Sequence, residues 1–164
     1  MRQIIINSKK HGKKVVKIDP IDFDLVSKYT WCLKIIHKTN NFYACSDISK
    51  SRSERETISM HRLILNAKNK EIVDHKNGNG LDNRRINLRI VNPSQSSMNR
   101  GLSTINTTGF KGVTIGYKGK FKSRIGVNKK RISLGEFRSL TEAAKAYNNA
   151  ALKYHGEFAK LNII

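Results

Sequence analysis

Short apolar runs that alternate with polar positions dominate the first two thirds of the chain, and they predict small antiparallel strands rather than long helices. β-prone runs fall at residues 3–7, 14–18, 31–36 and 42–46. One helix interrupts them. Asp19 followed by Pro20 marks its start, and Ile21, Leu25 and Val26 give it an apolar stripe up to about residue 28. The polar run 50–56 reads as a hairpin tip, and a second short helix over 60–65 turns Leu63 and Ile64 inward.

Residues 71–100 read as strand, turn-rich loop, strand and helix. Ile72 and Val73 open the first strand, Asn77-Gly78-Asn79-Gly80 forms a loop with left-handed residues, and 88–91 returns. Asn92 then caps a helix with Pro93 at its first position, running to about Asn99 and stopped by Gly101. After a polar linker, 102–108, three strands are predicted at 111–117, 121–127 and 131–137, joined by turns at 118–120 and 128–130. A helix follows over 140–154, with Ser139 and Glu142 as a capping box and Gly156 as its stop. Ala143, Ala144, Tyr147, Ala150, Ala151 and Tyr154 share one face of it, suited to lie close on a sheet. The fold class predicted is therefore α+β, with the opposite sheet face carrying Lys111, Lys122, Arg124 and Arg131 outward.

Charge changes the picture next. The 164 residues hold 32 Lys and Arg against 12 Asp and Glu, a formal charge of +20 spread along the whole chain. Such a field attracts phosphate backbones before any specific contact forms, so nucleic acid is the expected partner. The apolar runs are only a few residues long, so neither a signal peptide nor a membrane span is expected and the protein reads as soluble. Cys32 and Cys45 lack the paired spacing of a zinc site and read as ordinary thiols. Lys9, Lys10, Lys13 and Lys14 give at most a weak nuclear-signal match on so basic a chain.

The chemistry concentrates at Asp74-His75, a carboxylate beside an imidazole at a strand edge. Asp74 is a hard oxygen donor suited to Mg²⁺ or Mn²⁺, and His75 is a base with an ordinary pKa of ~6.5. A divalent cation next to a neutral imidazole is a compact means of hydrolysing a phosphodiester. Arg84, Arg85, Arg89 and Arg100 offer guanidinium groups nearby in sequence, shaped for phosphate or simply a solvated face. His61 reads first as scaffold, and Asn83 and Asn87 as residues that brace the loop.

Taken in order, MHRLIL (60–65), VDH (73–75), GNGLDNRR (78–85) and NLR (87–89) resemble the HNH nuclease family, most closely its phage and intron homing-endonuclease branch. The resemblance implies a ββα-metal hairpin and helix over 71–100, preceded by a β-rich part over 1–66, in a nuclease domain spanning 1–101. It implies His75 as general base, Asp74 as metal ligand and Asn87 as the asparagine that braces the loop. The family's second metal ligand, His or Asn on the helix, aligns with Ser96, a weaker donor, while Asn99 lies on nearly the same helix face as a candidate substitute, which leaves a weakened, a rescued and an inactivated enzyme all open.

Residues 109–164 resemble the plant ethylene-response-factor (APETALA-two) DNA-binding domain through GFKGV, GKF, RISLGEF, TEAAKAYNNAA and the closing LN. Lys111, Arg124 and Arg131 keep a basic side chain at contact positions of that family, and Lys118, Lys120 and Lys122 add to the basic surface. Thr114, Gly116, Lys118, Gly126 and Ser133 depart from the plant residues, so the plant target sequence does not carry over. Together the two resemblances imply a phage-encoded homing endonuclease that acts on double-stranded DNA in a bacterial cytoplasm. It would be a monomer or weak dimer with no obligate protein partner. The rival readings are a DNA-binding regulator descended from a nuclease and impaired by Ser96, and an RNA-binding protein, which the few aromatic residues disfavour.

Overall fold

A computed structural model describes residues 1–36, 41–49 and 55–164. The fold is mixed α+β, built from small antiparallel sheets and few helices, and it divides into two compact units, Met1–Asn92 and Pro93–Ile164.

In the first unit, β1 (Arg2–Ser8) and β2 (Gly12–Ile18) form a hairpin, and β3 (Cys32–Ile36), β4 (Asn41–Ser49) and β5 (Arg55–Ser59) form a three-stranded sheet. A second hairpin pairs β6 (Ile72–His75) with β7 (Leu88–Val91). Alternation along β2 explains its role: Val16 and Ile18 are fully buried, and with Ile6, Val26, Ala44, Met60, Ile64 and Leu88 they make one core. Two sequence expectations change here. The predicted helix over 20–28 is a 3-10 turn, Pro20–Asp22, followed by a single helical turn, α1 (Phe23–Val26). Ile21 is 81% exposed, and Phe23, with Val26, faces the core instead, because the short helix is anchored by burial rather than by a stripe. The predicted tip at 50–56 falls mostly outside the described residues, yet Arg55 and Glu56 begin β5, a strand absent from the sequence reading. The short helix α2 (Met60–Ile64) lies where expected, although it is Met60 and Ile64 that are buried and Leu63 that is only partly so.

The second unit begins with α3 (Pro93–Met98) and contains a three-stranded sheet in the order β10-β9-β8, from β8 (Val113–Ile115), β9 (Phe121–Val127) and β10 (Lys130–Phe137). Helix α4 (Leu140–His155) packs on that sheet. Ser139 caps α4 by accepting the Thr141 N–H at 3.2 Å. Ala143, Ala144, Tyr147, Ala150 and Ala151 are buried as expected, but Tyr154 is 40% exposed and His155 takes the inward position, four residues after Ala151 and so one turn along the same face. β8 is shorter than predicted at both ends: Gly112, at φ +77°, keeps 111–112 in a turn, and the turn with the left-handed Lys118, at φ 51°, starts at Tyr117, one residue before the predicted one.

Two features lock the unit. Asn162 clasps the backbone of Lys111 through both ends of its amide, at 2.6 and 3.1 Å, and exchanges two further bonds with Asn148 on α4. Gly112, at φ +77°, brings the chain so near α4 that a Cβ would collide with the Tyr147 ring and the Arg124 carbonyl. Gly112→Ala therefore carries both backbone strain and overpacking, and is expected to destabilise this unit by roughly 3 kcal/mol. Urea denaturation followed by circular dichroism measures it; an unchanged midpoint would show that the close approach is not tight.

Candidate active site

The strand β6 delivers Asp74 and His75 to its end, where they pair across the hairpin with Arg89 and Leu88. Beyond His75 a long loop returns to β7, and two side-chain amides, Asn87 and Asn77, hold its shape. The Asn87 side chain accepts the Asn77 N–H at 3.0 Å and donates to the Asn77 side chain at 3.1 Å and the Asp82 carbonyl at 2.7 Å. Asn77 donates in turn to the Asp82 carboxylate at 3.0 Å. Asn87 thus sits at the loop's centre, 6% exposed, in the position of a brace.

The loop is also tied to the sheets around it. Lys17 on β2 donates to the Leu81 carbonyl and accepts from Asn83 N–H, both at 2.8 Å, a one-residue parallel bridge. Asn41 at the start of β4 donates to the Gly78 carbonyl at 2.8 Å and accepts the Gly80 N–H at 3.2 Å. Gly80 lies against β4 so closely that a Cβ would strike the Phe42 carbonyl and the Tyr43 ring. Of the loop glycines the sequence marked as left-handed, Gly78 is so at φ 78°, whereas Gly80 is required by this close approach.

That scaffold sets Asn83, fully buried, beside His75. Asn83 Oδ1 lies 3.1 Å from His75 Nε2, and the Asn83 Nδ2 group points to the Gly80 carbonyl at 3.5 Å, which orients the amide. The carbonyl oxygen facing the ring makes Nε2 the protonated nitrogen, so the lone pair of the neutral imidazole is on Nδ1. Burial pushes the His75 pKa down from its usual value, partly opposed by the Asn83 bond and by the Asp74 and Asp82 carboxylates. The ring is neutral at physiological pH and only 3% exposed.

Two further rings complete the cluster. His61, on α2, stands edge-on to His75 with centroids 5.0 Å apart, and Tyr43 contacts both at 5.5 and 5.6 Å. Burial first, then the adjacent His75 and Arg62, lowers the His61 pKa to about 3. Burial and the Asp74 charge raise that of Tyr43. The sequence marks Asn83 as a loop brace but not as the partner of His75, and gives Tyr43 no role beyond its place on a β-prone run.

Asp74 is paired with Arg89, whose Nε and Nη2 lie 3.1 and 3.0 Å from Oδ2, with side chains 15% and 10% exposed. The other two motif arginines are similarly engaged. Arg84 holds Asp82 through two bonds of 2.7 and 2.6 Å, and Arg85 holds buried Asp22 while reaching the Ile64 carbonyl. Ser96 and Asn99 belong to the second unit, Ser96 on α3 and Asn99 just past its end, the latter 6% exposed. Arg100 is exposed. Among the described residues no group of three His, Cys, Asp or Glu side chains is placed to hold an ion. The carboxylate beside His75 is Asp74, an oxygen donor of the kind a hard ion takes, and it is paired here with Arg89.

On the second unit, β9 alternates cleanly: Ser123 and Ile125 are buried, Arg124 and Gly126 are exposed. Lys122 and Arg124 thus share the outer face with Thr114, Ser133 and Arg131, with Lys122 bonded to Glu136 at 3.1 Å. Lys118 and Lys120 are exposed at the β8–β9 turn. Lys111 departs from this face, since its Nζ donates to the Met98 carbonyl at 2.6 Å. No helix of the described residues is long and apolar enough to cross a membrane.

The chain is similar to a protein named "Uncharacterized HNH endonuclease" from Acanthamoeba polyphaga mimivirus, 29% identical over 142 residues, covering 85% of this chain and 70% of the relative. No family model matches it. No solved structure matches either.

The low pKa of His61 has a consequence for folding. Between about 3 and its ordinary 6.5, the unfolded chain binds a proton at His61 that the folded chain refuses. Stability from this residue is therefore complete above pH 6.5 and is lost as pH falls toward 3. His61→Phe, which keeps a ring against Tyr43 and His75 but cannot titrate, is expected to flatten the fall in urea midpoint over the upper part of that window. Parallel curves for the two proteins would exclude His61 as the source.

Proposed function

We propose that the protein is a divalent-metal-dependent DNA endonuclease of the HNH type, with a homing endonuclease as the specific reading. The observation that carries it is the braced pair at the end of β6: a neutral imidazole with its tautomer fixed by Asn83, next in sequence to a carboxylate. The named viral relative supports nuclease activity at a coarse level.

In this reading His75 accepts the proton of an attacking water at Nδ1, while the Nε2–H remains on Asn83 and holds the ring in place. Asn87 keeps the loop from shifting during the step, and Arg89 fixes the orientation of Asp74. Asp74 is the residue that would hold Mg²⁺ or Mn²⁺, with Ser96 or Asn99 as the proposed helix-side donor. Such an ion, when bound, offsets charge on the scissile phosphate and the leaving 3′ oxygen. The outer sheet face of the second unit, with Lys122, Arg124 and Arg131, grips duplex DNA in the manner of the ethylene-response-factor domain it resembles.

A second reading, a DNA-binding regulator without turnover, is favoured by two observations: Asp74 is already paired with Arg89, and His75 is almost wholly covered. Supercoiled plasmid incubated with Mg²⁺ or Mn²⁺ against an EDTA control separates the two. Metal-dependent nicks that drop about 100-fold or more in His75→Ala, with duplex binding unchanged, are expected. If the parent protein makes no nicks with either ion while Ser96→Asn does, the inactivated regulator is the correct reading.

A further inference from the structure

The second unit contains a cavity of about 770 Å³ between α3 and the turn that joins β9 to β10. It is distinct from the outer sheet face, although Arg131 stands on the rim of both. Four basic side chains line it, Lys111, Lys129, Lys130 and Arg131, and no carboxylate does. Ser94 and Ser97 on α3 add hydroxyl groups.

Two details make this more than a basic surface. His155 lines the cavity at 7% exposure; its Nε2 lies 2.9 Å from the Gly126 carbonyl, and its Nδ1 is buried with no hydrogen-bond partner. A buried polar atom left unpaired is costly; with Nε2 donating to Gly126, Nδ1 is an acceptor and calls for a donor, which the water around a hydrated phosphate supplies. The turn itself is strained: Asn128 and Lys129 both have positive φ, 49° and 63°, and the second of these is where glycine would be the easy residue. A lysine kept in a left-handed conformation at the cavity mouth is consistent with a working charge there. Lys111 adds to the demand, since burial and the neighbouring Lys160 and Arg100 charges lower its pKa to about 8.

We propose that this cavity is a second DNA site, which takes backbone phosphates of one strand beside the duplex held on the outer sheet face. A phosphodiester oxygen accepts from the lysine and serine donors, and a water carried in with the strand bridges it to the ring, donating one hydrogen to the phosphate and the other to His155 Nδ1. The size supports a strand segment over a lone ion, because small-molecule sites of roughly 300–1,000 Å³ hold groups of nucleotide size. The inference rests on the reading that DNA is the partner, and does not require that the protein cut it.

The test uses the full chain. In Lys129→Gly/Lys130→Gln the charge is removed while the turn is relieved of strain, so folding is preserved. Fluorescence anisotropy with a labelled duplex across a salt series is expected to show about ten-fold weaker binding at low salt, with the log–log salt slope shallower by about 1–2. Lys145→Gln/Lys153→Gln, on exposed positions of α4, loses the same charge and is expected to change the slope little; equal loss in both variants overturns the site, leaving only bulk charge. NMR on the labelled parent protein supplies the second arm. Duplex is expected to shift the His155 ring and Lys129 amide signals, and inorganic phosphate at equal phosphate concentration to leave them near their free positions. Equal shifts with phosphate alone overturn the strand proposal in favour of a small-anion site, and no shift with either overturns the site altogether. Failure to bind duplex at all would overturn the wider DNA reading as well, whereas unchanged binding by the turn variant overturns this inference alone.

Discussion

The side-chain amide of Asn87 is the constraint on which the candidate site depends. It closes the loop after β6 by bonding to Asn77 and to the Asp82 carbonyl, so a segment rich in glycine and asparagine becomes a fixed shape rather than a set of conformers. Only then can the Lys17 bridge set Asn83 in register, and only then does Asn83 meet the His75 ring. The imidazole is oriented by Asn83, whose place is set by the Asn87–Asn77 pair on one side, through the Asp82 backbone, and by the Lys17 bridge on the other. An apolar loop of the same length could be buried as well, but it would have no means of choosing a tautomer.

The second unit solves a different problem with the same residue type. Its sheet is small and its helix is rich in alanine, so close packing supplies modest burial and the C-terminal strand of chain must be fastened by polar means. Asn162 does this by mimicking a strand partner to Lys111, while Asn148 anchors it to α4. Gly112 allows the approach that brings Lys111 within reach. The closing LN and the GFKGV run are therefore two halves of one clasp, some fifty residues apart in sequence.

Much of this architecture was legible in the chain and some was not, for physical reasons. Strands with strong alternation, such as β2 and β9, were evident because one face is buried and a slip of one residue would invert it. β5 was hidden since its residues, RETIS, are polar and its pairing with β4 is stabilised by backbone bonds more than by apolar burial. The bracing role of Asn87 followed from its motif, but the pairing of Asn83 with His75 did not, because eight residues of loop separate them and only the tie to β2 decides which asparagine faces the ring. Strand ends and buried faces misled most where a single residue decided them, as with Gly112 at the start of β8 and with His155 in place of Tyr154.

The division of labour among cations is a further consequence of burial. Arginines in the loop motif lie beside carboxylates: Arg84 with Asp82, Arg85 with Asp22 and Arg89 with Asp74. Asp22 and Asp82 are almost wholly buried, so the guanidinium partner of each keeps a covered carboxylate from being left uncompensated. These arginines hence act first as structure, their planar forks suited to hold a carboxylate in two bonds. Lysines on the second unit remain as the exposed charge, at Lys118, Lys120, Lys129 and Lys130. A long-range field on a polyanion needs unpaired charges in water, whereas the motif loop holds its arginines against carboxylates, Arg89 mostly covered and Arg84 and Arg85 still partly in solvent. The net charge of +20 thus overstates what the motif loop can offer to phosphate, and exposed lysines on both units carry the available attraction.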